Sequence, residues 1–422
     1  MVPAAAPPML EGTVIGWLRA NLFNSWLNSA LSVVFVTAVA YLLWQFIPWA
    51  FKSSWTANSL VECRQQIKAG FGEDVSGACW AVIRERYLQL IYGFYPADLY
   101  WRPNLTFVLM LIALAPVLFP TVSRKLLLFS CMYPFLGYWL LWGGSIWGVA
   151  LVVAELALAF YLLSPLTARF GLLITIVGVV LATVLWWLFA VAPLQSLFHG
   201  ILPLGLRAVP SNQFGGFTLS TIIGVTGIVA SLPLGILWAL GRRSDMLIVR
   251  SISVGFIELI RGVPLITLLF VASTLLNIFL PPGTSFDIIL RVVIVVTLFS
   301  SGYVAEVIRG GLAALPVGQY EASDALGLDY WKSMRLVVLP QALKISIPGI
   351  VSSFIGLFKD TTLVSIIGLL DPLGLSNAIR ADSAWNGIVW ELYVFIAVMF
   401  FAFCFAMSRY SMHLERRLET GH

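Results

Sequence analysis

Long apolar runs separated by short polar turns dominate the pattern of this chain. A helix needs about 20 apolar residues to cross the hydrocarbon core of a bilayer. Barrel strands are shorter, about 10 residues, and alternate apolar with polar positions, so the run lengths favour helices. The qualifying windows are 29–51, 105–122, 126–142, 147–164, 171–194, 217–240, 253–280, 287–308, 345–370 and 388–408. We therefore predict an all-α polytopic membrane protein with about ten transmembrane helices.

Composition supports the membrane class and narrows the partners. Of the 422 residues, 60% are hydrophobic and 11% are charged, whereas about 25% of a soluble domain is charged. The net charge of +5 is spread over short loop clusters rather than basic tracts, so we expect membrane lipid and not nucleic acid as a partner. The histidines (His199, His413 and His422) are scattered, and the sequence predicts no metal site.

The distribution of basic residues predicts the orientation of the chain. Cytoplasmic loops carry an excess of Lys and Arg. With a cytoplasmic N-terminus, pairs such as Arg124–Lys125 and Arg242–Arg243 fall inside, while the short outer loops hold only Arg207 and Arg380. The first apolar run is longer than the core of a signal peptide, so we expect a retained helix. With an even number of spans, both termini are predicted to be cytoplasmic.

The long segment at 52–104 is the one sizeable loop predicted on the outer side. It contains Cys63 and Cys79, whereas Cys131 and Cys404 lie in apolar runs. In an oxidising compartment a disulfide between the first two is worth roughly 3 kcal/mol to a small loop domain. We expect this bridge, and two unpaired thiols remain the alternative.

The two halves of the chain differ in charge. Residues 1–205 form five predicted spans with almost no intramembrane charge, and 206–422 form five more that contain several charged residues. Because charges at bilayer depth usually face a cavity or a partner, any transport chemistry is expected to lie in the second half. The first half is compatible with a lipid-facing scaffold, an assembly surface or a docking platform.

The segment at about 316–342, on the predicted cytoplasmic side, has the pattern of a docking helix. Residues Glu321 to Leu326 favour a short helix, and Gly327 is suited to cap its end. Glu321 and Asp324 are three residues apart and share a face. Such a helix is suited to a groove on a partner, and Pro340 is expected to block simple continuation into the next span.

This segment resembles the signature loop of ABC importer permeases. That pattern is Glu-Ala-Ala, three residues, Gly, nine residues and Ile-x-Leu-Pro, and this chain departs from it at Ser323 and Val337. The resemblance implies a coupling helix that seats in a separate ATPase; an acidic surface loop with chance spacing is the alternative. The coupling residues that it implies are Glu321, Ala322, Ser323, Asp324, Ala325, Gly327, Leu339 and Pro340.

Four stretches are similar to motifs of the polar amino-acid permeases: 256–265, 303–311, 316–319 and 358–363. The long N-terminal half resembles the M-type permease subunit of general L-amino-acid importers of Gram-negative bacteria. The resemblance implies a five-helix type I importer core in the C-terminal half and a multi-pass protein of the inner membrane. It also implies a periplasmic amino-acid-binding protein, a second and distinct permease, and an ATPase dimer that binds ATP and Mg.

Charged and hydroxyl residues in the core are candidates for a substrate pathway. An amino-acid zwitterion needs an anion for its ammonium and donors for its carboxylate, which Lys359, Asp360, Thr361 and Thr362 offer. Structural ion pairing is the alternative for such residues. We assign Glu258 to the pathway and expect Arg261, Glu306 and Arg309 to form structural ion pairs. Glu258 and Arg261, like Glu306 and Arg309, are spaced to neutralise each other within one turn.

Two further features shape the predicted mechanism. Gly262 and Pro264 should break or kink the helix that contains Glu258. The sequence contains no G-x-x-x-x-G-K-[ST] loop, so ATP hydrolysis is expected in a partner chain, and this chain is expected to be no enzyme and to hold no cofactor.

The predicted function is that of a permease subunit of an ATP-driven L-amino-acid importer. Alternatives are an ion-coupled secondary transporter, whose halves would usually show repeat symmetry, or an ABC permease for a different small solute. The sequence does not identify the amino acids carried.

Overall fold

The computed structural model describes residues 13–279 and 287–418, and these are mostly helical. Helices α1 to α9 are Val14–Asn21, Trp26–Phe51, Leu60–Phe71, Ala81–Tyr92, Trp101–Leu118, Leu127–Trp142, Ile146–Phe170, Leu172–Leu185 and Val191–Ile201. Helices α10 to α18 are Gly216–Arg242, Leu247–Gly262, Leu265–Phe279, Ile288–Ala313, Val317–Ala325, Tyr330–Ser333, Leu339–Asp360, Pro372–Ala381 and Trp390–Leu418. Two-residue strands, β1 (Gly144–Ser145) and β2 (Gly205–Leu206), pair antiparallel. The predicted all-α polytopic fold is confirmed.

The predicted number of spans agrees with the structure, with one broken helix. Over the described ranges, nine helices are long and apolar enough to cross a membrane, and α11 with α12 makes a tenth if the pair counts as one span. The two helices meet at 102°. The continuous window at 253–280 is therefore wrong, while the predicted break is confirmed. Pro264 lacks an N–H and forces Val263 into an extended conformation, with φ −114° and ψ 131°.

Contacts divide the chain into two compact units. The first unit comprises Met1–Tyr87 with Ala378–Phe395, and the second comprises Leu88–Asn377 with Ile396–His422. This grouping by contact differs from the division at residues 205 and 206, which stays a prediction about domain organisation.

In the first unit, the predicted outer loop packs onto the segment that precedes α18. Trp385 is fully buried and donates from Nε1 to Glu85 Oε2 at 3.0 Å. Arg86 pairs with Asp382 at 2.8 Å. A disulfide joins Cys63 of α3 to Cys79, with their Cα atoms 5.9 Å apart. Residues nearly 300 positions apart in sequence thus form one small extramembrane structure.

A close backbone approach fixes the end of α2 in this unit. A Cβ added at Gly77 would lie 1.6 Å from the carbonyl oxygen of Lys52, so only glycine fits there. The Ala78 N–H donates to the carbonyl of Trp49 at 2.8 Å. The segment before the second cysteine is therefore held against the last turn of α2.

In the second unit, α10 and α13 pack closely because small residues line their contact. A Cβ added at Gly235 would lie 2.6 Å from Val304 Cγ1. Half of the most apolar window of α13 is buried, compared with none of the corresponding window in α7. The core of the second unit therefore surrounds α13, whereas α7 presents apolar side chains of the kind that face lipid.

Candidate functional site

The predicted coupling helix is present as α14, Val317–Ala325. It ends as expected, because Gly327 has φ +67°, a left-handed conformation that glycine adopts without strain. The Gly327 N–H donates to the carbonyl of Asp324 at 2.9 Å, and the Leu328 N–H donates to that of Ser323 at 3.2 Å. These bonds satisfy carbonyls that the helix end would otherwise leave unpaired.

The outward face of α14 is both acidic and apolar. Glu321, Ala322, Asp324 and Ala325 are exposed, and Leu326 is 76% exposed. An exposed leucine flanked by small residues and two carboxylates is suited to a complementary groove with a basic rim. The face matches what a docking helix requires.

Ser323, one of the departures from the family pattern, anchors α14 from its inner side. Ser323 is 2% exposed, and its Oγ lies 2.6 Å from that of Ser333 in α15. Ser323 donates to the carbonyl of Tyr320 at 2.8 Å, so Ser333 donates to Ser323. The two hydroxyls therefore join α14 to α15, a contact that alanine could not make.

The start of α15 is fixed by Asp329. Its Oδ1 accepts from the backbone N–H of Lys332 at 2.9 Å. Hydrogen bonds from the Lys332 backbone and side chain hold the pKa of Asp329 below its usual value. The carboxylate thus caps the turn that carries Ser333.

Pro340 does not block the chain from continuing into the next span. A π-helical turn, Met334–Val338, leads directly into α16, and the Leu339 N–H bonds to the Met334 carbonyl. Pro340 is exposed in the first turn of α16, where its missing N–H costs little. The expected interruption is therefore wrong, and the π turn accommodates the proline.

An arginine that the sequence suggested only as a marker of orientation contacts α14 directly. Arg243 Nη1 donates to the hydroxyl of Tyr320 at 2.8 Å and to the carbonyl of Leu312 at 3.3 Å. Its guanidinium also lies 5.4 Å from the Tyr320 ring centre. Tyr320 in turn donates to Leu312 at 3.1 Å. The ends of α10 and α13 are thus connected to α14.

Five charged residues of α10, α11 and α13 form what we call the charge cluster: Arg242, Glu258, Arg261, Glu306 and Arg309. Glu306 lies at its centre, 2.5 Å from Arg309, 3.2 Å from Arg242 and 3.9 Å from Arg261. Glu258 lies 2.9 Å from Arg242. The three arginines exceed the two carboxylates by one positive charge.

The pairing in the charge cluster differs in part from the prediction. Glu306 and Arg309 pair within one turn as expected, but Glu258 pairs with Arg242 of another helix rather than with Arg261. Arg261 instead points to Glu306. The close packing of α10 on α13 brings Arg242 between both carboxylates, and spacing within a single helix could not show this.

The residues Lys359 to Thr362 lie together at a change of helix type. The α-helical part of α16 ends at Asp360, and Thr361–Ile367 is a 3-10 helix. The hydroxyls of Thr361 and Thr362 donate to the carbonyls of Phe358 and Lys359, at 2.8 and 2.9 Å. Asp360 therefore lies at the end of α16. Glu258 belongs to the charge cluster instead, and a substrate role for any of these residues stays a prediction.

No group of three or more His, Cys, Asp or Glu side chains that could hold a metal ion occurs in residues 13–279 and 287–418. The functional contacts that the sequence did not indicate are those of Arg242, Arg243, Tyr320 and Ser333. The tandem arginines at the end of α10 were the available signal, but arginines at that position are usual topology markers.

The fold and these contacts define a class: a multi-pass helical membrane protein with a short exposed helix, α14, between two spans. The family described as "Binding-protein-dependent transport system inner membrane component" matches residues 231–420.

Two relatives match nearly the whole chain. The "Glutamate/glutamine/aspartate/asparagine transport system permease protein BztC" of Rhodobacter capsulatus is 58% identical, with all of this chain and 97% of the relative covered. The "Inner membrane amino-acid ABC transporter permease protein YhdY" of Escherichia coli is 41% identical, with 96% and 93% covered. The chain belongs to the amino-acid ABC transporter permeases.

One solved structure is similar over about half of this chain. "Crystal structure of an amino acid ABC transporter with histidines" is 29% identical, covers 47% of this chain and 90% of its own, and has a TM-score of 0.43.

Proposed function

We propose that this permease subunit moves L-amino acids across the inner membrane, driven by a separate ATPase that docks on α14. The observation that carries the proposal is the two-sided character of α14. Its outward face exposes Glu321, Asp324 and Leu326, while Ser323 and Tyr320 fix its inward face to α15, α10 and α13. A helix anchored on one side and open on the other is suited to transmit a partner's movement.

The proposal includes the partners. An ATPase dimer would bind ATP and Mg, and a periplasmic binding protein would deliver the amino acid. A second, distinct permease would complete the pathway, because five spans of one core enclose only half of it. Membership of the family supports an ATP-binding subunit and a substrate-binding protein. The basic residues of the loops favour cytoplasmic termini, which would place α14 on the ATPase side.

For the substrate we propose acidic amino acids and their amides. The relative that is 58% identical is named for glutamate, glutamine, aspartate and asparagine. Lys359 is exposed and offers a cation for a carboxylate, and Asp360 beside it offers an anion for the ammonium group.

Reversing the charge of Glu321 tests the docking role. We expect Glu321→Lys to insert normally but to lose most of the co-purifying ATPase, because the exposed carboxylate faces the partner. Glu73→Lys is the matched control: it reverses an equally exposed acid in the outer loop and should leave ATPase recovery unchanged.

Uptake and ATP hydrolysis in liposomes complete this test. Glutamate or glutamine added with the binding protein should stimulate hydrolysis by the wild-type complex and by the Glu73→Lys complex only. Unchanged ATPase recovery with Glu321→Lys would contradict the coupling role. Uptake without any ATPase would instead identify secondary transport.

A further inference from the structure

A cavity of about 370 Å³ lies within the first unit, and its lining contains none of the residues discussed above for α14 or the charge cluster. Its walls come from the end of α2, one face of α3, the segment before Cys79, and the residues that lead into α18. The volume is in the range of pockets that hold small organic groups. The lining combines basic, acidic and apolar side chains, among them Trp49, Arg64, Ile67, Lys68, Val75 and Glu391.

The cavity lies at the level where membrane spans begin and end. Trp49 is in the last turn of α2, and Trp390 is the first residue of α18. Trp80 packs edge-on against Trp49 with ring centres 5.7 Å apart, and it donates from Nε1 to the carbonyl of Ala50 at 2.9 Å. Tryptophan is enriched at the headgroup level of bilayers. The cavity therefore opens at the membrane interface.

The rim of the cavity is cationic. Arg64 and Lys68 are four residues apart on α3, so they share one face, and both are exposed. Their charged ends can reach solvent while their apolar stems line the wall. The acid in the lining, Glu391, is 7% exposed, and its Oε1 accepts from the Cys79 N–H at 2.8 Å. Its carboxylate is therefore engaged in the wall, and the rim presents two cations.

Below this rim the walls are apolar. Leu60 and Ile67 are buried on the same helix as the two cations, and Val75 and Trp390 complete the lining. The disulfide joins Cys63, the residue before Arg64, to Cys79, which also lines the cavity. The disulfide thus holds α3, which carries both cations, close to the segment that contains Cys79.

We propose that this cavity binds an anionic phospholipid. Its phosphate lies between Arg64 and Lys68, where a guanidinium can donate two hydrogen bonds to phosphate oxygens. The glycerol and the first acyl carbons lie against Ile67, Val75 and Trp390. A free anion would contact only the cationic rim, whereas a lipid at this depth contacts the cationic rim with its phosphate and the apolar walls with its acyl chains.

The test uses the full chain in nanodiscs with photoactivatable phosphatidylglycerol, and with photoactivatable phosphatidylcholine as the zwitterionic comparison. Cross-linked peptides are mapped by mass spectrometry. We expect phosphatidylglycerol to label the peptides within 60–80 and 387–391 in preference to phosphatidylcholine. Arg64→Gln with Lys68→Gln should reduce this labelling by about fivefold or more for each charge removed.

Two variants make the result specific. Arg64→Lys with Lys68→Arg keeps both charges and should keep most of the labelling. Arg124→Gln with Lys125→Gln removes the same charge elsewhere and should leave labelling at the cavity unchanged. Protection of Cys63 and Cys79 from maleimide reports that the disulfide of the first unit has formed in every variant.

Several results would overturn the proposal. One is equal labelling by the two lipids, and another is undiminished labelling in the glutamine variant with a protected disulfide. If the glutamine variant and the Arg124/Lys125 control lost cavity labelling equally, the loss would result from the net charge of the protein and not from a site at Arg64 and Lys68. Loss of binding-protein recruitment in the glutamine variant, with lipid labelling intact, would identify a protein as the occupant.

Discussion

Replacing Glu306 with glutamine should weaken the second unit more than replacing Glu258, although each carboxylate contacts arginine. Glu306 is 21% exposed and lies within 4 Å of three guanidinium groups, whereas Glu258 is 54% exposed and contacts one. Glu306→Gln therefore leaves three arginines near one another without their central counter-charge. Glu258→Gln leaves Arg242 still paired with Glu306.

The size of the effect follows from these contacts. Removing one partner of a buried ion pair costs about 3–5 kcal/mol. Because the arginines are 24–40% exposed and water screens them, we expect about 2–3 kcal/mol for Glu306→Gln. The exposed pair of Glu258 is worth at most about 1 kcal/mol. A chain of this size loses roughly 2 °C of apparent Tm per kcal/mol. The apparent Tm should therefore fall by about 5 °C for Glu306→Gln and by less than about 2 °C for Glu258→Gln.

Apparent Tm values of detergent-purified protein, compared at one scan rate, measure this difference. Combining Glu306→Gln with Arg309→Gln should cost less than the sum of the two single changes, because it removes an uncompensated cation together with its partner. A Tm for Glu306→Gln within about 1 °C of wild type, or a larger loss for Glu258→Gln, would show that Glu306 is not the central counter-charge of the cluster.

Two further outcomes are expected from the extramembrane segments. Gly77→Ala should prevent the segment before Cys79 from packing on Lys52, so that Cys63 and Cys79 become reactive to maleimide. Gly70→Ala is the control: an added Cβ there meets nothing within 4 Å, and both cysteines should stay protected. Protection of both cysteines in Gly77→Ala would contradict the close approach of Gly77 to Lys52. Burial raises the pKa of Asp371, which caps α17, from 3.8 to about 6, while hydrogen bonds from Gly374 and Leu373 partly oppose this. A raised folded-state pKa means that stability falls as pH rises from about 4 to 6, by about 1 kcal/mol between pH 5 and 7. The apparent Tm of wild type relative to Asp371→Asn should therefore be higher at pH 5 than at pH 7. A difference that stays constant with pH would argue against ionisation of Asp371.

The spans and the break at Pro264 could be predicted because run length and proline chemistry are local properties of the sequence. The end of α14 was predictable for the same reason, since Gly327 supplies the left-handed cap. Partner choice in the charge cluster was not, because Arg242 reaches Glu306 only when α10 packs on α13. The contacts of Trp385 and Asp382 with the outer loop join residues about 300 positions apart, and no local pattern indicates them.

Ser323 shows a different limit of sequence reasoning. Compared with the family pattern, serine for alanine is a conservative change in an exposed, acidic helix. In the structure its hydroxyl is buried and bonded to Ser333, ten residues further along the chain. Which face of α14 is buried depends on where α15 lies, and the spacing of the motif does not contain that information.

The tandem arginines at the end of α10 relate the coupling helix to the spans. Arg243 binds Tyr320 of α14, while its neighbour Arg242 binds Glu258 of α11 and Glu306 of α13. A displacement of α14 therefore acts directly on the ends of α10 and α13, and the charge cluster ties α11 to both. Contact alone does not demonstrate coupling. It does determine which helices can move independently: a motion that separated α10 from α11 or α13 would expose Arg242 without its carboxylates. We therefore expect these three helices to follow a displacement of α14 as one body, with the 102° break between α11 and α12 as the place where the second unit changes shape.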